Sequence, residues 1–205
     1  MPEKQPYILE LDFGMGNIRS LQKAFEFLGA KVSVEETADN ISKADAVLLP
    51  GDGAFGEAMK QLQQRDMIEP ILNHVSKGKP LLGVCIGFQV LFSSSSEFGE
   101  HAGLNLINGT VERFPETVKP VPHMGWSPVS HKSGSSLLKN IPDQSWFYFV
   151  HSFRNVGSDK AIGLAHYPEP FTAILEDGNI FGTQFHPEKS QKPGLTLLSN
   201  FLECI

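Results

Sequence analysis

The chain has 205 residues, of which 40% are hydrophobic and 20% charged, and its formal net charge is −6. That length buries a core without a disulfide or metal staple, and the apolar share argues against disorder. The acidic balance lacks the basic footprint of a nucleic-acid binder, and no apolar run approaches the roughly 20 residues of a membrane helix.

The first half alternates strand and helix. Tyr7 to Phe13 (YILELDF) reads as a strand, and Ile18 to Leu28 has helical spacing with Gly29 just past its end. Lys31 to Glu35 is a short strand, and Ala46 to Leu49 is an apolar strand ending in Pro50-Gly51. Ala54 to Val75 reads as a helix broken at Pro70. Pro80 to Val84 is another buried strand, followed by a helix over Ile86 to Phe92. Buried strands alternating with helices predict an α/β fold with a mostly parallel central sheet and helices on both faces.

The second half has a different texture. Gly109 to Phe114, Phe147 to Phe153, Ala161 to His166, Thr172 to Leu175 and Ile180 to Phe185 read as strands separated by turn residues. They predict antiparallel strands added to the parallel core, with Leu195 to Leu202 as a closing helix. No composition shift marks a boundary, so the expectation is one domain over residues 1–205. The opening Met1-Pro2-Glu3-Lys4-Gln5-Pro6 has no apolar stretch of the signal-peptide kind. A cytoplasmic protein with no membrane partner is expected.

Cys85 and Cys204 are the two cysteines, and without an export signal no structural disulfide is expected. The seven histidines form no His-x-x-x-His pair, and no Cys-x-x-Cys is present. No metal site or cofactor is therefore predicted. Gly51-Asp52-Gly53-Ala54-Phe55-Gly56 fits G-x-G-x-x-G, but the strand that follows ends without the acid that holds a ribose. The loop reads instead as a strand-to-helix turn, or as backbone N–H groups facing an anionic centre.

Gly83-Val84-Cys85-Ile86-Gly87 lies between a buried strand and a helix. A nucleophile flanked by small residues there marks a sharp turn that exposes it at the sheet's edge. The helix N-terminus favours the thiolate, and the Ile86 N–H is placed to meet an oxyanion. A buried packing cysteine is the plainer alternative. A thiol nucleophile needs a base and an orienting group. Gln184-Phe185-His186-Pro187-Glu188, at the end of the last predicted strand, offers both.

Together, Gly-Val-Cys-Ile-Gly-Phe-Gln at 83–89 and Gln-Phe-His-Pro-Glu at 184–188 resemble the class I glutamine amidotransferases. Within that family the sequence is similar to the glutaminase subunits of imidazole glycerol phosphate synthases. Asp12 to Asn17, Pro50 to Gly56, Pro122 to Trp126, Tyr148 to Ser152 and His186 to Ser190 carry the likeness along the chain. The resemblance implies a flavodoxin-like fold and a Cys85–His186–Glu188 triad that hydrolyses L-glutamine to glutamate and ammonia through a thioester. It implies an oxyanion site from Ile86 and the Gly51-Asp52-Gly53 loop, and a glutamine pocket lined by Gln89, His151 and Ser152. It also implies a (βα)₈-barrel cyclase partner that receives the ammonia and makes imidazole glycerol phosphate and aminoimidazole carboxamide ribonucleotide. Asn17, Met124 and Trp126 match segments near that interface.

Two positions depart from the family. Asp52 replaces the usual valine, and a carboxylate aimed at a developing oxyanion opposes catalysis, so its side chain is expected to point away. Ser127 stands where asparagine is frequent, which bears on the interface. Cys204 is expected to pack. Three other readings remain open: a glutaminase serving another barrel synthase, such as one amidating a surface sugar; a non-catalytic binding homologue; and a free-standing cysteine hydrolase.

Overall fold

The computed structural model describes residues 5–16, 18–131 and 134–205. Asn17 and residues 1–4 of the Met1–Pro6 opening lie outside them. In chain order the elements are β1 (Tyr7–Leu11), α1 (Ile18–Phe27), β2 (Lys31–Glu35), β3 (Ala46–Leu49), α2 (Phe55–Gln64), α3 (Ile68–Ser76), β4 (Leu81–Val84) and α4 (Ile86–Gln89). There follow β5 (Phe92–Ser95), β6 (His101–Ala102), β7 (Ile107–Arg113), β8 (His123–His131), β9 (Ser145–His151) and β10 (Phe153–Asn155). The chain ends with β11 (Ala161–His166), β12 (Pro170–Asp177), β13 (Ile180–Thr183) and α5 (Gln191–Leu202).

Among the described residues the main sheet has nine strands in the order β2-β1-β3-β4-β13-β12-β11-β8-β9. The half from β2 to β13 is parallel, and the half from β13 to β9 is antiparallel. Every residue of β3, β4 and β13 is buried. Their apolar runs are continuous because the sheet is covered on both faces there. One face packs on α1 and α5 through Leu21, Phe25, Leu197 and Phe201. The other packs on α2 and α3, and on a smaller sheet of order β10-β7-β5-β6, through Phe55, Leu62, Ile71, Phe92 and Val111. No helix among the described residues is long and apolar enough to cross a membrane.

Two expected helices need correction. The helix over Ala54 to Val75 breaks before Pro70, at residues 65–67, where Asp66 has φ +52°. Pro70 sits in the first turn of α3, where its missing N–H has no intrahelical partner to lose. The helix over Ile86 to Phe92 stops at Gln89. The carbonyls of Val90 and Phe92 accept from Leu104 and Asn105 (2.8 and 3.2 Å), which draws the chain into β5. The stretch Pro122 to Trp126, for which the sequence suggested no element, lies from His123 onward within the nine-residue strand β8.

Candidate active site

Three strand ends converge at the carboxyl edge of the parallel sheet, where α/β folds place their ligands. The Gly51–Gly53 loop follows β3, Cys85 follows β4, and residues 184–188 follow β13. Strand β4 lies between the other two. The register pairs Val84 with Thr183, and the Cys85 N–H donates to the Thr183 carbonyl (2.9 Å). Sheet pairing thus bridges the long sequence gap between Cys85 and His186.

Cys85 occupies φ +55°, ψ −107°, a conformation that costs a non-glycine residue of order 1–3 kcal/mol and persists only where surroundings enforce it. The enforcement is local. A Cβ on Gly87 would overlap the Leu49 carbonyl oxygen, and one on Gly83 would stand 2.7 Å from the Gly87 carbonyl carbon. The two glycines let β4, α4 and the end of β3 close on one another, which forces the turn at Cys85.

His186 is buried, and its Nδ1 lies 2.8 Å from Glu188 Oε1. This contact directs Nε2 the other way, toward Cys85. Nε2 has no hydrogen-bond partner, and it lies with Cys85 Sγ and an Asp52 carboxylate oxygen in a group whose members are all within 4.8 Å of one another. Burial works against the imidazolium, but Cys85 and Glu188 outweigh it and hold the pKa up to about 10. The arrangement favours a charged histidine next to the sulfur.

The Gly51–Gly53 loop departs from expectation twice. The Ile86 N–H is not open: it donates to the Gly51 carbonyl (3.2 Å). Asp52 does not point away: its Oδ1 stands 3.5 Å from His186 Nε2. The cationic imidazole is the nearby group that attracts this carboxylate. The loop is also backed by the turn after β1, where a Cβ on Gly16 would approach the Asp52 nitrogen to 3.0 Å. Gly53 has φ +107°, which favours glycine.

A cavity of about 350 Å³ opens beside the sulfur, lined by Asp52, Gly53, Cys85, Ile86, Gln89, His151 and Ser152, together with Glu97, Pro122 and Lys189. Gln89 Nε2 donates to the Phe153 carbonyl and to Gln184 Oε1 (3.0 Å each), while its Oε1 has no partner. His151 belongs to a buried chain of hydrogen bonds. Its Nδ1 donates to the Phe153 carbonyl (2.8 Å), so its Nε2 accepts from His123 Nδ1 (3.2 Å). His123 Nε2 then accepts from the Ser127 hydroxyl (2.8 Å). Burial keeps both rings neutral, pushing His151 down to about 3 and His123 to about 4. Ser127 is thus an internal donor rather than a surface group.

Met124 and Trp126 alternate outward on β8, 63% and 41% exposed. Across the register, Trp126 faces Tyr148 in an edge-on ring contact (6.0 Å), and Trp146 is exposed beside them. Sequence reasoning missed Glu10, in the middle of β1, which is fully buried with neither oxygen hydrogen-bonded. Burial first, then Glu188, pushes its pKa up to about 9. The signal was an acid inside an otherwise apolar strand.

The family model for class-I glutamine amidotransferases matches residues 9–204, and the chain belongs to that family. Solved structures share the fold. "Structure of PurLQS from Thermotoga maritima" superimposes with TM-score 0.77 at 17% identity, covering 98% of this chain and 99% of that one. "Crystal structure of glutamine amidotransferase" gives 0.76 at 16%, covering 96% and 97%. The α/β fold class expected from the sequence is the fold observed.

Within the family, similar sequences include imidazole glycerol phosphate synthase subunits HisH. That of Moorella thermoacetica is 45% identical over 95% of this chain and 93% of its own length. That of Aquifex aeolicus is 45% identical over 93% of each, and that of Desulfitobacterium hafniense (strain DSM 10664 / DCB-2) is 44% identical over 93% and 91%.

Proposed function

We propose that this protein is the glutaminase subunit of an imidazole glycerol phosphate synthase, acting in histidine biosynthesis. The observation that carries the chemistry is the meeting of Cys85 with the His186–Glu188 pair at one edge of the sheet, beside a cavity of about 350 Å³. Cys85 Sγ attacks the side-chain carbonyl carbon of glutamine. His186 Nε2–H protonates the leaving nitrogen, ammonia departs, and a thioester remains. His186 then takes a proton from water, which attacks the thioester and releases glutamate. Glu188 holds the imidazole orientation and its charge.

Gln89, His151 and Ser152 hold the substrate, with the unpartnered Gln89 Oε1 as an acceptor. Ile86 and the Gly51–Gly53 loop stabilise the tetrahedral oxyanion after the Gly51 carbonyl has released the Ile86 N–H. One such donor is worth ~100–1,000-fold in rate. Low activity of the isolated subunit follows. The partner is a (βα)₈-barrel cyclase subunit that takes the ammonia, and it docks on the outer face of β8 and β9 through Met124 and Trp126, beside Pro122 and Val150 of the cavity.

The test is a glutaminase assay on the chain alone, with the cyclase subunit, and with that subunit plus its nucleotide ligand. Low turnover alone and strong stimulation with both are expected. Cys85→Ala should abolish turnover in every arm. Retained activity in that variant would remove the nucleophile assignment, and equal turnover without a partner would argue against the synthase reading.

A further inference from the structure

We propose that Asp52, Cys85 and His186 form an inhibitory binding site for a thiophilic divalent cation, of which Zn²⁺ is the model. The three residues come from three different loops, so no spacing in the sequence announces them. Their ligand atoms nevertheless lie within 4.8 Å of one another. Zinc bonds of about 2.0–2.3 Å put ligands about 3.3–3.7 Å apart in a tetrahedron. The Asp52 Oδ1–His186 Nε2 separation of 3.5 Å already meets that distance. The Asp52 side chain is 43% exposed, so rotation about its own bonds can close the remainder.

His186 supplies the second, independent observation. Its side chain is 96% buried, and Nε2 has no hydrogen-bond partner. Nδ1 is held by Glu188 Oε1 at 2.8 Å. A carboxylate behind the ring is the outer arrangement that orients metal-bound histidines and raises their basicity. The cavity beside Cys85 gives room for a water as fourth ligand. Sulfur, imidazole and carboxylate form a donor set suited to zinc rather than to magnesium or calcium. Binding displaces the His186 proton to solvent and ties up the nucleophile. Cys85 and His186 alone would offer two ligands, and Asp52 supplies the third.

Binding does not depend on the proposed function, whereas inhibition does, and the experiment separates them. The full chain is titrated with Zn²⁺ against a chromophoric zinc indicator in metal-free buffer. Iodoacetamide labelling of Cys85, followed by mass spectrometry with Cys204 as internal reference, runs in parallel. One-to-one binding that protects Cys85 is expected, with affinity falling at least tenfold in Asp52→Val and Asp52→Asn and remaining within about threefold in Asp52→Glu. Cys85→Ser should lose the site. Circular dichroism checks that each variant is folded. Equal affinity in the parent and both Asp52 variants would overturn the proposal, as would zinc that binds without protecting Cys85. Zinc that binds and protects in a protein that shows no glutaminase turnover even with the cyclase subunit and its nucleotide ligand would sustain the site while removing the function.

Discussion

Gly51 and Asp52 share one peptide unit, and both occupy ground that catalysis needs. The Gly51 carbonyl takes the Ile86 N–H, and the Asp52 carboxylate faces the His186 nitrogen that delivers a proton in the proposed mechanism. In the proposed mechanism this negative charge also lies beside the developing oxyanion. Because Asp52 is 43% exposed on its side chain, the contact is screened. Its weight is that of a solvent-screened ion pair, roughly 1 kcal/mol, or about fivefold in rate. Asp52→Val should therefore raise the partner-free glutaminase kcat about fivefold. A fall in kcat would show that the carboxylate assists the histidine instead. The orientation of Asp52 was not legible in the sequence, because a peptide's direction in a glycine loop is set by distant groups, here Ile86 and His186. The meeting of Cys85 with His186 and Glu188 was legible because Gly-x-Cys-x-Gly and His-Pro-Glu each carry their own local geometry. Glu10 was hidden, since its state depends on burial and on Glu188 at the other end of the chain.

At the scale of elements, the nucleophile turn is held by close approach of β3, β4 and α4. Gly87 is the contact point, with no room for a Cβ against the Leu49 carbonyl. Since that neighbour is backbone, it cannot rotate aside, and Gly87→Ala should cost about 3 kcal/mol or more. Urea denaturation monitored by circular dichroism measures this. A loss under 1 kcal/mol would mean that the strand end moves freely. The parallel strands were readable because burial on both faces makes them uniformly apolar. Strand β8 was not, because its pattern is inverted: the inward positions His123 and Ser127 are polar and satisfied by hydrogen bonds, while Met124 and Trp126 point out. That outward face gives a second test. Aromatic anchors at interfaces commonly carry 1–2 kcal/mol or more. Trp126→Ala should weaken binding to the cyclase subunit about tenfold, read by calorimetric titration, and unchanged affinity would move the docking face elsewhere.

For the molecule as a whole, buried titratable groups set how stability depends on pH. His123 and His151 are held neutral, down to about 4 and about 3 from an ordinary 6.5. Only the unfolded chain takes up their protons as pH falls below about 6.5, so their contribution is present above that pH and lost below it. Burial lowers His74 as well, which acts in the same direction. Glu10 runs opposite. Its carboxyl is raised from an ordinary 4.5 to about 9, so its contribution is full below about 4.5 and is lost as pH climbs toward 9. His186, raised to about 10, acts in the same direction as Glu10 above 6.5. Each proton bound by one state alone gives a slope of about 1.4 kcal/mol per pH unit at most. Between about 4.5 and 6.5 the two neutral histidines outweigh Glu10 and stability rises with pH. Above about 6.5 their contribution is level and the losses from Glu10 and His186 govern. The stability maximum should therefore fall near pH 6.5. Glu10→Gln replaces a neutral acid by a neutral amide of similar size, and it should flatten the alkaline side by about 1.4 kcal/mol per pH unit while leaving the acid side steeper. Urea midpoints collected from pH 5 to 9 for both proteins decide it, because two parallel curves would mean that Glu10 is ionised in the folded chain.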